Sequence, residues 1–197
     1  MAREEIVSSA SEKLILVDDQ DREVGSEAKG VCHEGSGMLH RAFSIFVFNS
    51  DSELLLQQRS ESKPLWPGYW SNTCCSHPRL GETMEVAVSR RLKQELGFEC
   101  ELEYLYKFMY QAQFGDLGAE REYCWVYVGY YDGPVDPNVS EIANWRFLDI
   151  KSLDRELETA ADSFTPWFKL EWSHIQEHFL DDILARRDLV RSFGNKV

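Results

Sequence analysis

In the first three quarters of the chain, short runs of β-branched and aromatic residues alternate with turn-forming residues. This pattern predicts strands, because such side chains pack well on a pleated, half-buried sheet surface. We predict strands near residues 14–17, 42–49, 53–59, 70–75, 100–114, 121–131 and 143–148. The link Asn49-Ser50-Asp51-Ser52 predicts a turn that joins the second and third of these strands.

Two segments have the pattern of helices instead. Residues 83–96 contain no Gly or Pro, carry acidic residues early and are followed by Gly97, as expected of a helix that ends there. From Pro166 onward, apolar residues recur at helical spacing, at Ile175, Phe179, Ile183 and Leu184. The sequence therefore predicts an α+β fold, in which a mixed sheet is flanked by a few helices.

The length and composition fit one domain. A chain of 197 residues with 43% hydrophobic and 13% aromatic residues can bury a core and close a pocket to water. No repeat, low-complexity tract or Pro- and Gly-rich linker divides it. We expect a single domain over residues 1–197, with an N-terminal extension over about 1–28 and a helical C-terminal segment over about 151–197.

The formal net charge of −13 argues against nucleic acid or an anionic membrane surface as a partner, because both favour a basic protein surface. The first thirty residues resemble neither a signal peptide nor a transit peptide, and no apolar run is long enough to span a membrane. The five cysteines are an odd number without framework spacing, so we expect a reducing cytoplasm.

One short segment combines cysteine and histidine. If residues 70–77 are extended, side chains alternate between faces, so that Cys75 and His77 point one way and Cys74 the other. We therefore expect Cys75 to face a pocket. The alternative is that both cysteines are small buried hydrophobic residues. A structural zinc site is disfavoured, because no second Cys-x-x-Cys or His pair has suitable spacing.

Carboxylates and further histidines could complete a metal site. Glu120 and Glu122 are two residues apart and share one face of a strand, as two ligands of one metal must, although a solvated turn is the alternative. His33 and His40 flank a flexible stretch and could add nitrogen ligands beside His77. Such a mixed set is acceptable to Zn, Mn or Mg.

Basic residues near predicted strand ends and on the helix are candidate contacts for a diphosphate. Arginine offers forked contacts to phosphate oxygens and lysine a point charge. Each could equally be an ordinary surface cation, and Arg91 could pair with Glu95 one helical turn away. The candidates are Lys29, Arg59, Lys63 and Arg91.

Residues 76–98 resemble the Nudix box, the metal-binding loop-helix-loop of diphosphate hydrolases. The match is degenerate. Glu82, Arg90 and Glu95 fit the pattern, whereas Arg91 and Gln94 stand where carboxylates are expected, and Ser76 replaces a glycine. The resemblance implies a Nudix-like mixed sheet with a degenerate Nudix-box helix.

With these departures from the Nudix-box pattern, the chain resembles the type I isopentenyl-diphosphate isomerases. Besides Tyr110, the similar segments are 29–33, 40–46, 59–63, 66–82, 91–97, 120–124 and 165–167. The resemblance implies Mn²⁺, Mg²⁺ or Zn²⁺ at His33, His40, His77, Glu120 and Glu122. It further implies Mg²⁺ at Glu95 beside the substrate diphosphate, which Lys29, Arg59, Lys63 and Arg91 would contact. Cys74 has no implied role.

The resemblance also implies a reaction in isoprenoid biosynthesis. Isopentenyl diphosphate and dimethylallyl diphosphate interconvert when one proton is added and another removed, through a tertiary carbocation. Glu122 with Tyr110 and Cys75 would handle the protons from opposite sides, in either order, and Trp167 would stabilise the cation. The alternatives are a Nudix-type diphosphohydrolase and a non-catalytic diphosphate-binding or metal-binding module. We expect a monomer or a weak homodimer.

Overall fold

Strand β3 (His40–Phe48) is the centre of the sheet in the computed structural model, which describes residues 3–186. It runs parallel to β8 (Gly118–Tyr130) over its whole length, and β8 pairs antiparallel with β7 (Leu102–Phe114). The other edge of β3 is shared by three strands, each over one to three residues.

Those three strands meet β3 in order along its length. They are β1 (Lys13–Val17), then β6 (Cys74–Ser76), then β4 (Glu53–Arg59). Strand β4 then leaves β3 and pairs with β9 (Ile142–Asp149) and with the short β5 (Trp70–Ser71). Strand β2 (Glu23–Ala28) forms the outer edge beside β1.

Most predicted strands are confirmed to within a few residues. The predicted turn at 49–52 joins β3 to β4, although these strands pair only at Phe48 and Leu54. The single strand predicted at 70–75 is wrong: β5 and β6 are separate, because Asn72 and Thr73 turn inward to bind backbone atoms of neighbouring strands. Strand β2 was not predicted, since its sequence, EVGSEA, lacks an apolar face.

The helices pack on opposite faces of the sheet. Helix α2 (Met84–Leu96) begins at Thr83, whose side chain accepts a hydrogen bond from Val86 N, and ends at left-handed Gly97, as predicted. Helix α4 (Pro166–His178) begins with proline in its first turn, and helical residues continue at 180–186. Between them along the chain lie α3 (Ile150–Thr159) and a 3-10 helix (Ala161–Ser163), whereas the short α1 (Lys29–Cys32) follows β2.

Alternation along β3 divides the core into two layers. Phe43, Ile45 and Val47 pack towards α2, whereas Phe46 and Phe48 pack towards α4. Residues 13–28 are part of this arrangement, because β1 and β2 belong to the same sheet. Among the described residues, no helix has the length and apolarity needed to cross a membrane. The α+β prediction is confirmed.

Candidate active site

A cavity of about 470 Å³ opens where α1, the end of β4, β6 and the start of β8 come together. It is lined by eleven of the residues selected from the sequence. These are Lys29, His33, Arg59, Lys63, Cys75, His77, Arg91, Tyr110, Glu120, Glu122 and Trp167. Residues drawn from almost the whole length of the chain therefore share one site.

Three histidines and two glutamates gather at one end of the cavity. One ligand atom from each of His33, His40, His77, Glu120 and Glu122 lies within 4.8 Å of all the others. The ring centroids of the three histidines are 4.8 to 5.4 Å apart. This arrangement has the nitrogen and oxygen donors that a divalent metal accepts.

Backbone contacts orient two of these histidines. Nδ1 of His33 lies 2.6 Å from the carbonyl oxygen of Lys29, and Nδ1 of His40 lies 2.7 Å from that of Met38. Because a carbonyl accepts, each Nδ1 carries the proton and each Nε2 presents a lone pair to the centre. Sequence spacing gives no sign of these contacts.

Unpaired polar atoms support a fit to a metal ion. Among the described residues, Nε2 of His40 and Oε2 of Glu120 are buried without a hydrogen-bond partner, although Oε2 lies 2.8 Å from Nε2 of His33. Leaving a buried polar atom unpaired costs about 1–3 kcal/mol. An ion bonded to these atoms would remove that cost.

Glycine at position 118 allows two parts of the metal site to approach. Gly118 has φ +154°, and a Cβ there would lie 2.4 Å from the carbonyl oxygen of His33. The next residue, Ala119, donates its N–H to the same oxygen at 2.9 Å. This contact sets His33 of the α1 turn beside Glu120 of β8.

The acidic and basic groups of this cluster influence one another. Burial raises the pKa of Glu122, but His40 and Tyr110 outweigh burial, so the net pKa is lowered. Burial and the neighbouring His40 and Lys29 lower the pKa of His77 far below its ordinary value. Burial also lowers the pKa of His33, but Glu120 outweighs it and the net pKa is raised.

Cys75 lies at the other side of the cavity, on the α4 face of the sheet. Its thiol donates to Oδ1 of Asn72 at 2.8 Å and accepts from Nε1 of Trp167 at 3.2 Å. Ser44 Oγ lies 3.6 Å away. Burial raises the pKa of this thiol to about 12, with a smaller contribution from the charge of Glu171.

The neighbouring Cys74 faces the opposite way, as alternation predicted. It is fully buried in the layer of the core that contacts α2. Burial, followed by the charge of Glu95, raises the pKa of its thiol far above the ordinary value. Cys74 is thus a packing residue in this structure, with no access to the cavity.

Tyr110 and Trp167 line the wall between the metal end and Cys75. The hydroxyl of Tyr110 donates to Oε2 of Glu122 at 2.6 Å, and burial, followed by Glu122, raises the pKa of Tyr110. The guanidinium carbon of Arg59 lies 5.2 Å from the centre of the Trp167 ring. The indole therefore already interacts with one cation.

Cations gather towards the segment that precedes β1. Lys29 Nζ donates to Ser8 Oγ at 2.7 Å, and Arg91 Nη1 donates to the carbonyl of Val7 at 2.7 Å. Burial, then the charges of Lys63 and Arg91, lower the pKa of Lys29 to about 8. The three cations are thus close enough to repel one another.

Glu95, for which the resemblance implied a separate Mg²⁺ site beside the diphosphate, lies outside the five-ligand cluster. It does not line the cavity either; instead it accepts from Nε of Arg91 at 3.0 Å. The ion pair between Arg91 and Glu95, which the sequence left as an alternative, is therefore present. Although it is paired with Glu95, Arg91 lines the cavity.

Two buried acids were missed by sequence reasoning. Glu141, in the turn before β9, accepts from Lys63 and from Arg91, and its side chain lines the cavity. Glu171 on α4 is fully buried and accepts from Cys124 Sγ at 3.4 Å. The sequence did contain a signal that Glu171 is buried, because helical spacing places it on the same face of α4 as Trp167 and Ile175.

Comparison with known proteins agrees with this arrangement. Residues 38–168 match the NUDIX domain family. A crystal structure of a protein from Deinococcus radiodurans superposes with a TM-score of 0.62 at 23% identity, covering 76% of this chain and 90% of that one. The MutT protein from Methanosarcina mazei superposes with a TM-score of 0.55 at 16% identity, covering 78% and 95%. These likenesses confirm the predicted Nudix fold.

Sequence relatives identify a narrower family. Isopentenyl-diphosphate Delta-isomerase 1 of Photorhabdus laumondii is 44% identical over 171 residues, covering 85% of this chain and 97% of the relative. Isopentenyl-diphosphate Delta-isomerase of Burkholderia multivorans is 46% identical over 157 residues, covering 80% and 89%. The chain belongs to the NUDIX domain family and, within it, to the isopentenyl-diphosphate Delta-isomerases.

Proposed function

We propose that this protein interconverts isopentenyl diphosphate and dimethylallyl diphosphate in isoprenoid biosynthesis. The observation that carries the proposal is the placement of Cys75 and Glu122 in the walls of one cavity, together with a metal-type cluster and a group of cations. Relatives named as isopentenyl-diphosphate Delta-isomerases support the same substrate pair.

The cationic side of the cavity would hold the diphosphate. Lys29, Lys63 and Arg91 reach it from three separate elements, and Arg59 extends the cationic surface towards Trp167. With the charged group held there, the hydrocarbon would lie against Trp167 and Tyr110. Binding energy from the diphosphate would then position an alkene that has no polar group of its own.

Two proton-handling groups are needed because one proton enters the alkene and another leaves it. Cys75 and Glu122 are the pair that the cavity offers, and Tyr110 is the hydrogen-bond donor that orients Glu122. Since the reaction is reversible, the group that donates in one direction accepts in the other, so both are required in either order. The buried walls exclude water that would quench a carbocation.

The cluster of His33, His40, His77, Glu120 and Glu122 fits a divalent ion such as Mn²⁺, Mg²⁺ or Zn²⁺. A bound ion would supply positive charge beside Glu122 and so strengthen the acidity of its protonated form. Glu95 is paired with Arg91 in this structure. Glu95 could therefore hold Mg²⁺ with the diphosphate only after its ion pair with Arg91 is broken.

The hydrolase alternative is disfavoured at the Nudix-box helix. Arg91 and Gln94 occupy positions where a hydrolase needs carboxylates, and Arg91 binds the remaining Glu95. A binding module would not need two proton-handling groups beside an indole. We also infer a cytoplasmic protein that acts as a monomer or a weak homodimer.

The test is an isomerisation assay with isopentenyl diphosphate and metal-loaded protein. We expect an acid-labile allylic diphosphate as product and no released phosphate. Cys75→Ala and Glu122→Gln should abolish the product while circular dichroism shows a folded chain. Cys74→Ala is the matched control, since it deletes the adjacent thiol outside the cavity. Phosphate release, or full activity of Cys75→Ala, would overturn the proposal.

A further inference from the structure

Glu171 is a fully buried carboxyl in the apolar layer between the sheet and α4. Among the described residues no cation pairs with it, and its Oε2 has no hydrogen-bond partner. Burial raises the pKa of Glu171 to about 8, so the side chain holds a proton near neutral pH. An acid buried in this way lowers stability, and a function is the usual reason for keeping such a group.

Three contacts connect Glu171 to the cavity. Oε1 of Glu171 lies 3.4 Å from Sγ of Cys124, which lies 3.5 Å from Oγ of Ser44. Oγ of Ser44 lies 3.6 Å from Sγ of Cys75, which lines the cavity. Each contact has a sulfur atom on one side, and a thiol both donates and accepts hydrogen bonds. A line of polar side chains therefore runs from Glu171 to the thiol of Cys75.

The sheet and α4 fix this line in place. Ser44 of β3 is the direct cross-strand partner of Cys75 in β6. Cys124 of β8 belongs to the layer of the core that contacts α4. Glu171 follows Trp167 by one turn of α4, and Trp167 itself donates to Cys75. The contacts thus follow from buried strands and a packed helix.

Hydrogen bonds along the line can all point the same way. The thiol of Cys75 donates to Oδ1 of Asn72, so its sulfur is free to accept from Ser44. Ser44 then accepts from Cys124, and Cys124 accepts from protonated Glu171. When Glu171 is ionised, it accepts from Cys124 instead. Two positions of a proton therefore share one set of contacts, as passage of a proton along the line requires.

The proposed isomerisation creates a need for such a proton. When the thiol of Cys75 gives its proton to the alkene, a thiolate is left beside a tertiary carbocation. A thiolate is a strong nucleophile and would bond to that carbon, which would stop the reaction. A proton delivered from inside the protein removes the nucleophile without admitting water to the cavity.

We propose that Glu171 stores a proton for Cys75 and delivers it through Cys124 and Ser44. The O–H bond of Glu171 breaks and an S–H bond forms at Cys75, while Cys124 and Ser44 each receive one proton and pass on another. A carboxylic acid and a thiolate become a carboxylate and a thiol, with no change in net charge. In the reverse direction the proton returns to Glu171.

Glu171 does not line the cavity and acts only through Cys75. The inference rests on the proposed function, because it requires Cys75 to exchange a proton with the substrate.

Infrared spectroscopy tests whether Glu171 holds a proton, without any substrate. Near neutral pH we expect the wild type to show the carbonyl band of a buried, protonated carboxyl, and Glu171→Gln to lack it. Glu177→Gln is the matched control, since it removes an exposed carboxyl from the same helix and should keep the band. The same band in Glu171→Gln as in the wild type would overturn the inference.

Kinetics with isopentenyl diphosphate tests the delivery of the proton. Glu171→Gln keeps the size of the side chain but has no acidic proton, so kcat should fall about tenfold or more with little change in KM. Cys124→Ala interrupts the line and should lower kcat by a similar factor. The double variant should be no slower than either single variant, because both changes affect one step.

Two further variants separate proton delivery from packing, and thermal melts establish that each variant is folded. Cys124→Ser supplies a hydroxyl that can pass a proton, so it should recover most of the rate that Cys124→Ala loses. Glu177→Gln should have the kcat of the wild type, because the exposed side of α4 is outside the line.

The kcat of the wild type in Glu171→Gln would overturn the inference. So would additive losses in the double variant, or equal losses in Cys124→Ala and Cys124→Ser, since packing alone would produce either result. These outcomes leave the proposed function standing. A wild type that does not isomerise the substrate would overturn the proposed function and this inference with it.

Discussion

The rings of Tyr110 and Trp167 lie side by side in the cavity wall, with centroids 6.4 Å apart, and each donates a hydrogen bond to a different proton-handling group. Tyr110 donates to Glu122, and Trp167 donates to Cys75. The two aromatic residues thus connect the metal end of the cavity to the thiol. A reacting carbon held between Glu122 and Cys75 would therefore lie close to both rings.

Tyr110→Phe should reduce kcat about 100-fold, the effect usually seen when one oriented donor is removed from a site of developing charge. The ring should stay in place, because it packs against Phe108 with centroids 5.5 Å apart. Steady-state kinetics measures the effect. Tyr130→Phe is the control, since it removes a phenol that donates to the carbonyl of Ile183, outside the cavity. Equal rates for both variants would contradict the role of Tyr110.

Trp167→Phe should lower kcat about tenfold or more and change KM little. The indole stabilises a carbocation that exists only near the transition state, and its Nε1 orients Cys75, so the loss is confined to the chemical step. Trp172→Phe is the matched control on the same helix: it should lower the melting temperature but leave kcat intact, because Trp172 is a core residue. A rise in KM alone would contradict the prediction.

Some of this wall could be predicted from sequence and some could not. Alternation predicted that Cys75 and His77 both face the cavity and that Cys74 does not, and this holds although the predicted strand is broken, because Cys74 and Cys75 both lie in β6. Glu141 lies in a polar turn with no periodicity, and it pairs with two cations, Lys63 and Arg91, that come from distant segments. Sequence alone carries no information on such convergence.

The prediction of strands from sequence was limited in the same way. Long apolar strands such as β3 and β4 were predicted well, because burial on both faces demands apolar residues. The polar edge strand β2 and the four-residue α1 are set by pairing with β1 and by the turn that carries His33. Their positions follow from tertiary contacts rather than from local propensity.

Metal binding should stabilise the folded chain and displace protons. Adding Zn²⁺ or Mn²⁺ to chelator-treated protein should raise the melting temperature by several degrees, because the ligands converge only in the folded state. Since the pKa of His33 is raised, more protons should be released on metal binding near pH 6 than near pH 8, as calorimetry in two buffers can measure.

His33→Gln should weaken the stabilisation by metal strongly, whereas His178→Gln should not, because His178 lies at the exposed end of α4 outside the cluster. Equal stabilisation of the two variants by metal would show that the five residues are not the binding site.

Glu171→Gln should stabilise the protein at neutral and alkaline pH. Burial raises the pKa of Glu171 from 4.5 to about 8, and Oε2 has no hydrogen-bond partner among the described residues. Below about pH 4.5 the carboxyl is protonated in both the folded and unfolded states, so it carries no penalty. Between about pH 4.5 and 8 only the unfolded state ionises, so the stability of the wild type falls, and above pH 8 the loss is constant.

The stability gained by Glu171→Gln relative to the wild type should therefore grow from pH 5 to pH 8, by an amount on the order of a few kcal/mol. Urea unfolding at several pH values measures it. Glu177→Gln on the exposed side of α4 should give a small difference that does not change with pH. A gain for Glu171→Gln that is the same at pH 5 and pH 8 would mean that the buried carboxyl is not held neutral by its surroundings.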